Sequence, residues 1–152
     1  MTQVDFYITD TNSHDSWLRL ACRITEKAIK RKLSVYLHSE SEKDAKKLDG
    51  LLWTFSQGSF IPHQLIGENS ELPLNEAVLI GHGHLAAQLT AESEITHKWD
   101  LMINLTIEVP EFFSRYDRVA ELIDADPLRR ESGRNRFRFY RERGYELTTH
   151  KI

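Results

Sequence analysis

Alternating strand-like and helix-like segments in the first third of the chain constrain its fold most strongly. Residues 4–9 (VDFYIT) are short and rich in β-forming residues, and the polar cluster 10–16 after them contains residues that can cap a helix. Apolar residues at helical spacing predict that helix over 17–32. A second strand over 34–39 and a second helix within 39–55 follow directly. Such a β-α-β-α order is typical of an α/β layered domain with parallel strands.

The middle of the chain supplies further strands. Residues 59–66 (SFIPHQLI) contain Pro62, which predicts an edge strand or an extended connection rather than a central strand. Residues 77–80 and 101–106 predict two more strands, and the second (LMINLT) is apolar enough for the centre of the sheet. The interval 81–100 has room for a short helix but gives no clear pattern.

The last third predicts two helices and a strand. Residues 110–123 space their apolar side chains as an amphipathic helix does. Pro127 suits the first turn of a final helix that runs to about Arg143, and residues 145–151 return as a strand. At 152 residues the chain fits one domain spanning 1–152. The predicted fold class is therefore a three-layer α/β fold, with a mostly parallel sheet flanked by helices.

Motifs for catalysis or cofactor binding are weak or absent in the sequence. Residues 81–86 (GHGHLA) match G-x-G-x-x-A, but a dinucleotide loop follows the first strand of its fold, so an ordinary turn is favoured. His82 and His84 lie two residues apart with no nearby ligands to complete a metal site. Cys22 is the single cysteine and falls in the apolar pattern of a helix. We expect no cofactor and no bound metal.

The N-terminal segment predicts neither a secretory signal nor a membrane span. It lacks a basic region followed by a long apolar run, and no window approaches the roughly 20 apolar residues that cross a bilayer. We therefore expect a cytoplasmic protein without membrane contact.

Arginines are concentrated in the predicted C-terminal helix. Residues 127–145 contain seven of the twelve arginines and two glutamates, so this segment carries +5 while the rest of the chain carries −8. The seven are Arg129, Arg130, Arg134, Arg136, Arg138, Arg141 and Arg143. An acidic body with one basic segment favours an anionic partner.

Helical geometry gathers part of this cluster on one face. At about 100° per residue, one arc holds Arg130, Arg134, Phe137, Arg138 and Arg141. Leu128 and Phe139 fall on the opposite side, which is predicted to dock on the sheet. Guanidinium groups bind carboxylates and phosphates bidentately, and an aromatic ring adds apolar contact. The residues alone leave three interpretations open: a solvated helix face, a single-stranded nucleic-acid site and an acidic-peptide site.

Five segments in order resemble the chi subunit family of the bacterial DNA polymerase III holoenzyme. They are VDFYITD, SEKDAKKLDGLLWTF, SFIPHQL, DLMINL and RFRFYRERGYEL, and the likeness extends over nearly the whole chain. The segment 81–99 is longer than its counterpart in that family. The resemblance implies a Rossmann-like fold without a nucleotide site, in a noncatalytic accessory subunit of the clamp loader. It also implies two partners: the psi subunit, bound one-to-one, and the acidic C-terminal tail of the single-stranded DNA-binding protein SSB, which ends in phenylalanine. DNA would be contacted only through SSB.

The resemblance also assigns the residues of the SSB-tail site. They are Ile123, Arg130, Arg134, Phe137 and Arg138. Arg134 or Arg130 would hold the terminal carboxylate, Phe137 and Ile123 would wall the pocket for the terminal ring, and the other arginines would attract the aspartates of the tail. Arg130 stands where lysine is familiar in the family, and Phe137 stands where tyrosine is.

For psi, the resemblance implies an apolar interface. It includes Phe60 and the adjacent Pro62, and we extend it to Trp53. Plain core packing is the alternative for each of these three residues. Two alternative functions also stay open: direct binding of single-stranded nucleic acid, and a nucleotide-dependent enzyme that uses the Gly81 loop.

Overall fold

Parallel pairing connects all the strands in the part of the chain that the structure describes. This structure is a computed structural model, and it describes residues 1–54, 61–66, 76–83 and 98–152. The elements in chain order are β1 (Gln3–Ile8), α1 (His14–Lys30), β2 (Val35–Ser39), α2 (Glu42–Thr54), β3 (His63–Leu65), β4 (Val78–His82), β5 (Leu101–Leu105), a 3-10 turn (Phe113–Arg115), β6 (Arg118–Ile123), α3 (Pro127–Glu142) and β7 (Glu146–Lys151). The strands form one open sheet in the order β3-β4-β2-β5-β6-β1-β7. The predicted α/β class with a mostly parallel sheet is confirmed.

Local sequence signals fixed most element boundaries. Side-chain oxygens of Ser13, Ser41 and Asp126 accept hydrogen bonds from backbone N–H groups in the first turns of α1, α2 and α3. Pro127 occupies the first turn of α3, as predicted. β5 lies in the middle of the sheet and β3, which follows Pro62, lies at its edge, so both of these predictions are confirmed.

The helix predicted over 110–123 is wrong. Residues 118–123 form strand β6, which pairs with β5 and β1, and only the 3-10 turn Phe113–Arg115 is helical in this region. All of β6 after Arg118 is buried, because helices cover both faces of the sheet. A strand that is buried on both faces lacks the alternation of apolar and polar residues that identifies a strand. Together with the aromatic residues before it, its apolar residues happened to recur at helical spacing.

Helices cover the two faces of the sheet as predicted. On one face, α1 and α2 pack over alternate strand residues such as Leu37, Ile103 and Leu122. On the other face, α3 and an aromatic cluster cover the intervening strand residues. Cys22 of α1 is buried, and burial raises the pKa of its thiol to about 12, so the thiol stays protonated at neutral pH. Among the described helices, none has both the length and the apolarity to cross a bilayer.

Candidate functional site

Helix α3 packs directly on the sheet at Gly133. A Cβ atom built on Gly133 would lie 2.7 Å from both Cδ1 and Cγ1 of Ile123, at the end of β6. Real Cβ atoms essentially never come this close, so a side chain at this position would force Ile123 to shift. The contact places Ile123 immediately beneath the turn of α3 that carries Arg134.

Gly133, Arg136 and Tyr140 form the buried face of α3. The predicted docking face is therefore wrong for Leu128, which is 78% exposed. Phe139 is half-buried and meets the edge of the Phe113 ring, with the ring centroids 5.9 Å apart. The helix is rotated from the predicted position because its inward arginine has a buried partner.

That partner is Glu121 of β6, which is completely buried. Its Oε1 accepts a hydrogen bond from Arg136 Nε at 2.7 Å, and its Oε2 accepts bonds from Tyr140 Oη at 2.7 Å and Asn104 Nδ2 at 3.0 Å. Arg136 Nη1 also donates to the Ile107 carbonyl at 3.0 Å. Burial, followed by the charge of Glu121, raises the pKa of the Tyr140 hydroxyl, which therefore remains a donor. This network fixes the rotation of α3 on the sheet.

Arg129 is a second arginine with a structural partner. Its Nε and Nη2 donate to the two carboxylate oxygens of Asp124 at 3.0 and 2.6 Å. Its guanidinium lies over the Trp17 ring, 5.0 Å from the centroid. Hydrogen bonding to Asp124 is the main reason that the pKa of Arg129 is raised. Arg129 therefore joins the start of α3 to α1 and to the end of β6.

All three arginines of the predicted tail site are accessible. Arg130, Arg134 and Arg138 are exposed, and none of them forms an ion pair with any residue that the structure describes. Phe137 lies half-buried among them and meets Phe6 edge-on, with 5.0 Å between ring centroids. Ile123 is only 8% exposed. The structure thus brings the five predicted tail residues to one side of α3, with cations outside and apolar groups at the base.

The other arginines near the end of α3 contact aromatic rings. The guanidinium of Arg141 lies 5.9 Å from the Phe137 centroid, on the same side as the accessible arginines. The guanidinium of Arg143 lies 3.7 Å from the centroid of Phe139 and donates to the Phe139 carbonyl. The seven arginines therefore differ in role: two are bound to carboxylates of the protein, and Arg143 stacks away from the tail residues.

Two of the three residues predicted to contact psi, Trp53 and Pro62, lie near the edge strand β3. Trp53, at the end of α2, is 47% exposed, and its ring lies 4.7 Å from the His63 ring of β3. Pro62 is exposed next to His63. Phe60 lies outside the described residues. Trp53 is therefore not a fully buried core residue.

Gly81 lies within β4, not in a loop, and its carbonyl accepts a hydrogen bond from Ser39 Oγ at 2.9 Å. Gly83 follows with φ of +64°, a conformation that favours glycine. His84 and the rest of the candidate nucleotide motif lie outside the described residues.

The comparisons with known proteins agree along the length of the chain. The sequence model of a family described as "DNA polymerase III chi subunit, HolC" matches residues 1–148. The DNA polymerase III subunit chi of Pseudomonas aeruginosa is 42% identical over 152 residues, which cover 100% of this chain and 98% of the relative. The subunits chi of Haemophilus influenzae and Escherichia coli are 26% and 24% identical over 148 and 154 aligned residues, with coverage of at least 95% of both chains in each pair.

Proposed function

The chain belongs to the DNA polymerase III chi subunit family, and we propose that it is a noncatalytic accessory subunit that links the clamp loader, through psi, to SSB during DNA replication. The observation that carries the SSB part is the outer side of α3. There, accessible guanidinium groups lie beside a half-buried aromatic ring, Phe137, which packs on Phe6 of β1. The C-terminal tail of SSB is acidic and ends in phenylalanine, so it offers carboxylates and one ring.

The distribution of charge favours a short acidic peptide over a nucleic-acid strand. Asp124 and Glu121 neutralise Arg129 and Arg136, so fewer cations are available than the +5 of the segment indicates. The remaining chain is acidic and would repel a long polyanion outside this small patch. A peptide with one terminal carboxylate and a few aspartates requires only the patch.

Each residue of the patch has a chemical role in this proposal. Arg134 or Arg130 holds the terminal carboxylate through a bidentate guanidinium contact. Phe137 and the exposed edge of Ile123 contact the terminal ring, and Arg138 attracts an aspartate. Because an SSB oligomer presents several tails, weak binding of each one still keeps the polymerase complex near coated DNA.

Calorimetric titration with an SSB-tail peptide tests this function directly. We expect binding of the full peptide, and a loss of more than about 1 kcal/mol when its last phenylalanine is deleted, because the ring and the position of the terminal carboxylate are both lost. Equal affinity for the two peptides would contradict the proposed pocket. An oligonucleotide that binds in the absence of SSB, with a steep salt dependence, would support the direct nucleic-acid function instead.

We further propose that psi contacts the surface that carries Trp53 and Pro62, and that Phe60 also takes part in this interface. The exposure of Trp53 and Pro62 near the short strand β3 supports this surface. Psi should co-purify with the chain when the two are expressed together, and Trp53→Ala should reduce the amount recovered. Leu128→Ala is a suitable control, because it removes another exposed hydrophobic side chain from a different element. Equal recovery with both variants would count against this interface.

A further inference from the structure

The last strand extends the proposed tail site toward the edge of the sheet. In the parallel register, Lys151 of β7 lies opposite Ile8 of β1, and Ile8 lies opposite Ile123 of β6. Residues opposite each other in a parallel pair point to the same face of the sheet. Since neighbouring strands lie about 4.8 Å apart, the Cα of Lys151 is roughly 10 Å from the Cα of Ile123.

This face is the one that α3 covers. Ile8 and Leu147 point to the same face of the sheet as Lys151. Both belong to the hydrophobic cluster that contains Phe6, Phe137 and Tyr140. The neighbouring residue of β7, His150, points to the opposite face. There its ring stacks on Tyr7, with the ring centroids 4.8 Å apart, and its Nε2 forms a hydrogen bond with the Asp5 carboxylate.

Lys151 has the properties of an accessible binding group. It is exposed, and within the described ranges its ammonium group has no carboxylate partner. The strand holds its backbone in place, because the N–H of Ile152 donates to the Ile8 carbonyl at 2.9 Å. An extended lysine side chain on this fixed base is long enough to pass over Ile8 toward α3.

We propose that Lys151 is a binding residue for the acidic tail, on the far side of a groove whose near side is Arg134 and Arg138. This assignment rests on the proposed function and adds a route for the ligand. The peptide lies between α3 and β7, so cations flank its carboxylates on both sides. Ile8, which is half-buried, forms the apolar base between the two sides.

A lysine-to-glutamine exchange with a matched control tests this route. Lys151→Gln should weaken binding of the SSB-tail peptide about two- to fivefold, as expected for an exposed ion pair. Lys151→Arg should retain the affinity of the unmodified chain. Lys47→Gln removes the same charge from α2, on the other face of the sheet, and should change affinity less than twofold. A peptide whose aspartates are replaced by asparagine should bind the unmodified chain and the Lys151→Gln variant equally.

The possible failures are distinguishable. If the unmodified chain binds the peptide and Lys151→Gln binds it as well as Lys47→Gln does, the role of Lys151 is overturned while the α3 site stands. If the unmodified chain does not bind the peptide, the proposed function is overturned, and the role of Lys151 with it. Because Lys151 is exposed at the end of an edge strand, thermal unfolding of the variant should match that of the unmodified chain.

Discussion

Replacing Glu121 with alanine will lower the free energy of unfolding by about 3 to 5 kcal/mol. Glu121 is fully buried and accepts hydrogen bonds from Arg136, Tyr140 and Asn104. Without it, the guanidinium of Arg136 remains in the protein interior with no opposing charge, and two neutral donors lose their acceptor. Urea unfolding at neutral pH, followed by circular dichroism, measures the change.

An exposed ion pair of equal length provides the control for Glu121. Arg19 and Asp15 of α1 are 2.7 Å apart, as are Arg136 and Glu121, but their side chains are 49% and 65% exposed. Asp15→Ala should therefore lower the free energy of unfolding by less than about 1 kcal/mol. Equal losses for Glu121→Ala and Asp15→Ala would mean that burial of the pair does not determine its effect.

Local chemistry made much of this fold predictable. The caps at Ser13 and Asp126, the proline at the start of α3 and the proline before the edge strand each act within a few residues. Such signals place element ends without knowledge of the tertiary structure. The β-α-β-α order then limits the sheet to parallel pairing.

The tertiary environment determined what local patterns missed. The 118–123 segment has no alternation because both of its faces are covered, so its spacing suggested a helix. The rotation of α3 depends on Arg136 meeting Glu121, a residue that only sheet topology brings near. A sequence signal did exist: Glu121 stands in the apolar run VAELI, and a carboxylate in such a run requires a buried donor.

Counting arginines overstates the charge that a ligand meets. The sequence does not distinguish the seven arginines of the C-terminal segment from one another. Helical geometry at about 100° per residue places four of them, with Phe137, on one arc. In the structure, Arg129 binds Asp124 just after β6, Arg136 binds Glu121 within β6, and Arg143 lies on the Phe139 ring. The cations that a ligand can contact are therefore fewer than the segment contains, and they lie in a small patch around Phe137.

Arg134→Ala will weaken binding of an SSB-tail peptide by more than about 1 kcal/mol, or roughly fivefold. Arg134 is exposed, follows the Gly133 contact with Ile123, and has no carboxylate partner in the described part of the chain. Its guanidinium is therefore free to form a bidentate contact with the terminal carboxylate. Titration calorimetry at low salt measures the loss.

Arg143→Ala is the matched control for Arg134, because it removes the same charge from the end of the same helix. Its guanidinium stacks on Phe139, away from the Phe137 side, so its removal should change affinity only through weak long-range attraction. Arg134→Lys should fall between alanine and arginine, since it keeps the charge but loses the planar fork. If Arg134→Ala and Arg143→Ala reduce affinity equally, net charge governs binding and the assigned pocket is wrong. If Arg134→Ala alone reduces affinity while the stability of the fold is unchanged, binding depends on the position of that guanidinium. Glu121 and Gly133 determine this position, because they hold α3 on the sheet.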